Sequence, residues 1–135
     1  MANWIAPVYD RSAADVAARA EKCYFSAETL NRIEGNLQYL AELLGVTEVE
    51  TRTWAGTDFL RLSDMQRILA NLAAVRDSYY ALPGSPDIPE PPATMWSDVN
   101  AIEEITAGIQ ELWKRNENRM KLYAGEFFAG GIGVI

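Results

Sequence analysis

Apolar residues in three stretches of this chain recur at alternating intervals of three and four, and no other feature limits the fold as strongly. In the first stretch they are Leu30, Ile33, Leu37, Leu40 and Leu44. In the second they are Met65, Ile68, Leu72, Val75, Tyr79 and Leu82; in the third, Ile102, Ile105, Ile109, Leu112 and Met120, with Asn116 interrupting. Residues three or four apart lie on one side of an α-helix, so each stretch presents a narrow aliphatic stripe. Three such stripes leave water by packing on one another. The predicted fold is all-α, a helical bundle of three long helices.

Local signals place the ends. The predicted second helix opens at Ser26 and stops at Gly45, a residue suited to the left-handed position past a helix end. The third opens at Ser63, where S-D-M-Q has capping-box spacing, and ends at Pro83-Gly84. The fourth runs from Ser97 to about Tyr123. A weaker N-terminal helix starts at Ser12 and heads towards Tyr24, with a face of Ala13, Val16 or Ala17, Ala20 and Cys23 that buries little area. Gly35 costs its helix about 1 kcal/mol relative to Ala, which predicts a close approach by another backbone. The weak alternation in VTEVETRTW permits a short strand within 46–61, followed by a turn at WAGTD. Residues 83–93, from PGSPDIPEPP onward, form an extended proline strap. The closing residues 125–135, rich in Gly and apolar side chains, are predicted as an extended tail docked on a helix or a second subunit. At 135 residues the chain 1–135 reads as a single helical domain, long enough for a core without disulfides or metals.

Charge and composition narrow the function. The net charge of −7, with no strongly basic run, argues against nucleic acid as a partner. The apolar runs are too short for membrane insertion, and the N-terminus lacks the features of a signal peptide. With no His and one Cys, the usual catalytic triads, Cys-His pairs and zinc sites are ruled out. The expectation is no enzyme, no cofactor, no metal and no small-molecule substrate.

Part of the first stretch returns. LNRIEGNL at 30–37 is echoed by MQRILANL at 65–72 and, more faintly, by VNAIEEI at 99–105. Similar amphipathic helices in one bundle explain the echo through shared patterning. Under that reading Arg32 with Glu28 or Asn36, and Arg67 with Asn71, are i,i+4 neighbours on solvated faces. The competing reading makes the Arg–Asn pairs a ligand clamp.

Other residues offer chemistry. Glu34, Glu42, Glu103 or Glu111 could supply the acid and nucleophile of a cell-wall glycan hydrolase, which needs two carboxyl groups about 5–9 Å apart. Glu103 and Glu104 themselves diverge by about 100° on a helix, and a solvated acidic face is the simpler reading. Cys23 beside Lys22 lacks a histidine base and reads as a packing residue. Trp4, Trp54 and Trp96 each precede a helix, where buried rings fix entry angles, while Trp113 lies within the fourth. Asn116 either sets register in a coiled coil or marks the point where the helix leaves the core.

WIAPVYDRSAADV followed by SAETLNRIEGNLQYLAELL resembles small tail-associated proteins of phages and prophages of Gram-positive bacteria, including tail-fibre and baseplate-related ones. Trp4, Pro7, Asp10, Arg11, Ser12, Asp15 and Val16 fit an opening W-x-x-P-x-x-D-R-[ST]-x-x-D-V, and Leu30 to Asn36 fit L-N-R-I-E-x-N. DFLRLSDMQRILANL and YAGEFFAG are similar to later segments of the same group. The resemblance carries no catalytic residues. It implies a non-enzymatic structural part in virion tail assembly, made in the bacterial cytoplasm, with other tail subunits as partners and a homo-oligomer expected. Trp4, Tyr9, Phe127 and Phe128 are the candidate partner contacts.

Overall fold

The computed structural model describes residues 3–20, 22, 25–79, 84–93 and 95–129, with side chains as far as Glu117. Four helices follow one another: α1 (Ala13–Ala17), α2 (Ala27–Leu44), α3 (Leu62–Asp77) and α4 (Trp96–Ala129). The three long ones pack pairwise, α2 on α3, α2 on α4 and α3 on α4. The all-α bundle expected from the stripes is what forms.

The stripes are the core. Leu30, Ile33, Leu37 and Leu40 of α2 meet Met65, Ile68, Leu72 and Val75 of α3 and Ile102, Ile105 and Ile109 of α4, all buried. Ile33, Ile68 and Ile102 are each at most 2% exposed. Trp54 seals one edge of this cluster. Ser26 caps α2 by accepting from the Thr29 N–H, and Gly45 ends it at φ 74°.

Several boundaries move. The first helix stops after five residues and buries none of them, Val16 being 46% exposed. Its capping signal was sound, since Ser12 accepts from the Asp15 N–H at 3.2 Å. What failed is continuation, because a face of Ala offers too little burial to propagate the helix. Cys23 lies outside the described residues. α3 begins one residue early, where the Asp64 carboxylate accepts from the Arg61 N–H at 3.0 Å, and ends at Asp77 instead of Leu82. Leu82 lies outside the described residues. The region 46–61 contains no strand among the described residues; it is an extended strap interrupted by the expected turn at WAGTD, where the Asp58 N–H donates to the Ala55 carbonyl at 3.0 Å. Among the described residues nothing approaches within 4 Å of a Cβ built on Gly35, so the expected backbone contact is not found there. Finally, α4 continues through Tyr123 to Ala129, so 125–129 are helical and not the extended tail; residues 130–135 lie outside the description.

Three extended segments therefore cross the bundle. We name them strap A (3–11), strap B (46–60) and strap C (84–93). Strap C contributes Ile88 and Ala93 to the core.

Candidate functional site

Polar residues of the repeated pattern are buried or half-buried, and the copies on α2 and α4 use them in one way. On α2, the Asn31 side chain engages both backbone groups of Trp54: the Trp54 N–H donates to Oδ1 at 2.7 Å and Nδ2 donates to the carbonyl at 3.0 Å. One turn further, Glu34 is 1% exposed. It accepts from the Arg52 N–H at 3.2 Å, from the Trp54 indole N–H, and from the Arg67 guanidinium of α3. On α4, Asn100 repeats the clamp on Arg11, accepting its N–H at 3.2 Å and donating to its carbonyl at 2.9 Å. Glu103, also 1% exposed, accepts from the Val8 N–H at 3.2 Å and from Arg11 Nη2 at 2.8 Å. Arg32 of α2 completes it, donating from Nε at 2.6 Å and from Nη2 at 3.0 Å.

The spacing explains the arrangement. Asn and Glu three apart share a helix face, and an amide carries a donor and an acceptor side by side. It satisfies one residue of an extended segment as a neighbouring strand would, so the straps need no sheet. A second asparagine works from the opposite side. Asn36 accepts the Ile5 N–H at 2.9 Å and donates to the Ile5 carbonyl at 2.7 Å, and Asn71 donates to the Glu50 carbonyl at 2.7 Å. Strap A thus bridges α2 and α4, and strap B bridges α3 and α2. Arg32 reaches from α2 to α4 as Arg67 reaches from α3 to α2. The third copy of this scheme would set strap C across α4 and α3, but those positions are Gln66, Leu69, Ala101 and Ile105. There the polar set has been replaced mainly by apolar or small side chains.

Electrostatics follow the geometry. The hydrogen bonds that Arg32 donates to Glu103 raise its pKa above the usual value against the opposing effect of burial, and those from Arg67 to Glu34 do the same for Arg67. No buried side-chain nitrogen or oxygen among the described residues lacks a hydrogen-bond partner.

These findings correct the solvated-face reading. Arg32 and Arg67 do not bond to Asn36 and Asn71; they cross to carboxylates 71 and 33 residues away in sequence. Glu103 is not on an acidic surface. The repeated letters are a strap-holding unit used twice in full. Sequence reasoning missed Asn31, Asn100 and Arg11. The signal was present in the paired N-x-I-E of 31–34 and N-A-I-E of 100–103, whose Ile lies in the seam and whose Asn and Glu border it.

Other candidates are scattered. Trp4 is half-buried, its ring 5.4 Å from that of Tyr39, whereas Tyr9 is 46% exposed. Phe127 and Phe128 lie on α4, with side chains outside the described residues. Trp54 is core; Trp96 and Trp113 are half-buried. Asn116 donates to the Tyr79 hydroxyl, tying α4 to the end of α3. Glu42 pairs with Gln38 at 3.1 Å and Glu111 with Arg115 at 2.6 Å. A cleft of about 220 Å³ is lined by Tyr9, Gly84, Ser85, Glu104, Ala107, Gly108 and Glu111. Seven residues separate its two glutamates, about 10 Å along the axis. Among the described residues, no cluster of acidic or Cys side chains is placed to hold a metal, and no helix is long and apolar enough to cross a membrane. No family model, curated protein or solved structure matches the chain.

Proposed function

We propose that the protein is a non-enzymatic assembly component of a phage or prophage tail, made in the bacterial cytoplasm and built into the virion through helix contacts with other tail subunits and with its own copies. One observation carries the assembly reading. α4 has 34 residues, about 51 Å, whereas α2 and α3 have 18 and 16, about 27 and 24 Å. The buried apolar core on α4 ends at Ile109, and Asn116, two turns further on, still donates to the Tyr79 hydroxyl. Beyond it the sequence keeps apolar residues at helical spacing, Met120, Tyr123 and Phe127. A helical segment that short is marginal in water without a packing partner.

The fate of the carboxylates supports a non-enzymatic role. Glu34 and Glu103 are held by arginines and strap N–H groups, and neither lines the cleft at Glu104 and Glu111. A glycan hydrolase would need them free. The tail context rests on the resemblance of W-x-x-P-x-x-D-R and L-N-R-I-E-x-N, and a gene position among tail genes is the expected result.

Size exclusion with light scattering tests the assembly. The expected mass is an integer multiple of 15.0 kDa, and a single 15.0 kDa species at micromolar concentration would refute it.

A further inference from the structure

Strap A differs from strap B in how it is attached. Strap B lies between two helices of the bundle, whereas strap A precedes all three and is followed only by α1, which buries no residue. The hold of strap A on the body passes through side chains of α2 and α4 (Asn36 on Ile5, Glu103 on Val8 and Arg11, Asn100 on Arg11, and Tyr39 against Trp4) and through Lys22 past the turn, whose carbonyl accepts from Arg11 Nε and whose ammonium pairs with Asp10. None of these groups distinguishes a strap of its own chain from an identical one.

The turn that folds the arm back is strained. Past α1, the Ala20 N–H donates to the Asp15 carbonyl and the Arg19 N–H to the Val16 carbonyl, both at 3.0 Å, which is the double closure usual at a helix end. That closure places its penultimate residue in the left-handed region, where Gly is preferred. Here the residue is Arg19, at φ 56°. Glu103 also has a partner that does not belong to the arm: Arg32 of α2 donates to it twice.

We propose that the arm exchanges between copies, residues 3–11 of one chain occupying the groove formed by Asn36, Asn100 and Glu103 of another. The proposal deepens the assembly reading and rests on it. Closed and exchanged forms share every strap contact, so their balance depends on protein concentration and on the hinge. Opening the hinge exchanges the two closing hydrogen bonds for bonds to water and releases Arg19 from the left-handed conformation, and that release favours exchange.

The test uses full-length chains with Cys23→Ala, which removes the one native thiol. Trp4→Cys in one tagged chain and Tyr39→Cys in a differently tagged chain are co-expressed and treated with a short bismaleimide. The two replaced rings lie 5.4 Å apart when a strap is seated. A covalent heterodimer in high yield is the expected result, with little product from either variant alone. In the same assay Arg19→Gly, which adopts the left-handed turn freely, should lower the yield about five-fold, the change expected from about 1 kcal/mol of relieved strain. If light scattering shows an oligomer but no heterodimer forms, exchange is wrong and assembly stands. A monomer without cross-links sinks both. An unchanged yield in Arg19→Gly overturns the hinge as the driving element.

Discussion

Two carboxylates in this bundle occupy equivalent positions and are handled differently. Glu34 on α2 and Glu103 on α4 each follow an Asn by three residues, receive a strap N–H and accept an arginine from the preceding helix in the cycle. Glu34 adds an indole N–H and has one cation, Arg67, whose side chain is 24% exposed. Glu103 adds a second cation, Arg11, whose side chain is only 1% exposed. The comparison shows that a reused backbone device does not fix the electrostatics of its core. Strap B closes its node with aromatic surface, and strap A with charge.

That difference sets the largest expected effect. Glu103→Gln leaves two arginines around a neutral amide, one of them almost wholly enclosed, and should cost about 3–5 kcal/mol in urea unfolding. Glu34→Gln should cost less, about 1–3 kcal/mol, because Arg67 can turn to solvent and keeps the Glu50 carbonyl at 2.8 Å. Equal losses would show that the second cation at Glu103 adds nothing.

The asparagines sharpen the contrast. Asn31→Ala strips Trp54 of two hydrogen bonds and Asn100→Ala strips Arg11 of three, and each should cost about 1–3 kcal/mol. Asn31→Ala should shift tryptophan emission further to the red than Asn100→Ala, since it frees the strap around Trp54, which is 4% exposed, whereas Trp4 on strap A is already half-buried. A larger shift in Asn100→Ala would mean that releasing strap A also loosens strap B.

Gly35 provides a smaller change of opposite sign. It sits between Glu34 and Asn36 with open space where a Cβ would go, so Gly35→Ala should raise stability by about 0.5–1 kcal/mol. A loss would show that the space beside Gly35 is filled by a contact beyond the described residues.

The smallest effect belongs to α1, the element between strap A and its turn. The Ser12 hydroxyl, and to a lesser degree Lys22, hold the Asp15 carboxyl below its usual 3.8. A folded pKa below the unfolded one means that the contribution is present above 3.8 and is lost as pH falls through the folded value. An NMR titration of Asp15 should therefore give a midpoint below 3.8 that moves back towards it in Ser12→Ala. No return would assign the shift to Lys22 instead.

Much of the fold was legible because its causes are local. Capping at Ser26 and Ser12, the left-handed Gly45 and the seams of α2, α3 and α4 each depend on residues within a few positions. Errors fell where burial decides continuation. The alanine face of α1 had nothing to bury against, and α4 carried on through a glycine-containing segment that composition suggested would be extended. Of the candidate contacts, Tyr9 is open to solvent while Trp4 packs on Tyr39 within its own chain.

By itself the sequence determined which residues turn inward, since period and side-chain hydrophobicity travel with the local chain. It also carried the repeated Asn, Ile and Glu without revealing their use. Only the tertiary structure decided that Arg11 meets Glu103 across 92 residues, that Arg67 meets Glu34 across 33, and that Asn31, Asn36 and Asn100 hold extended backbone instead of facing water. Partner choice among charges depends on which helices become neighbours and at what offset. Those offsets are set by packing of the whole aliphatic core, and no short window of the chain contains them.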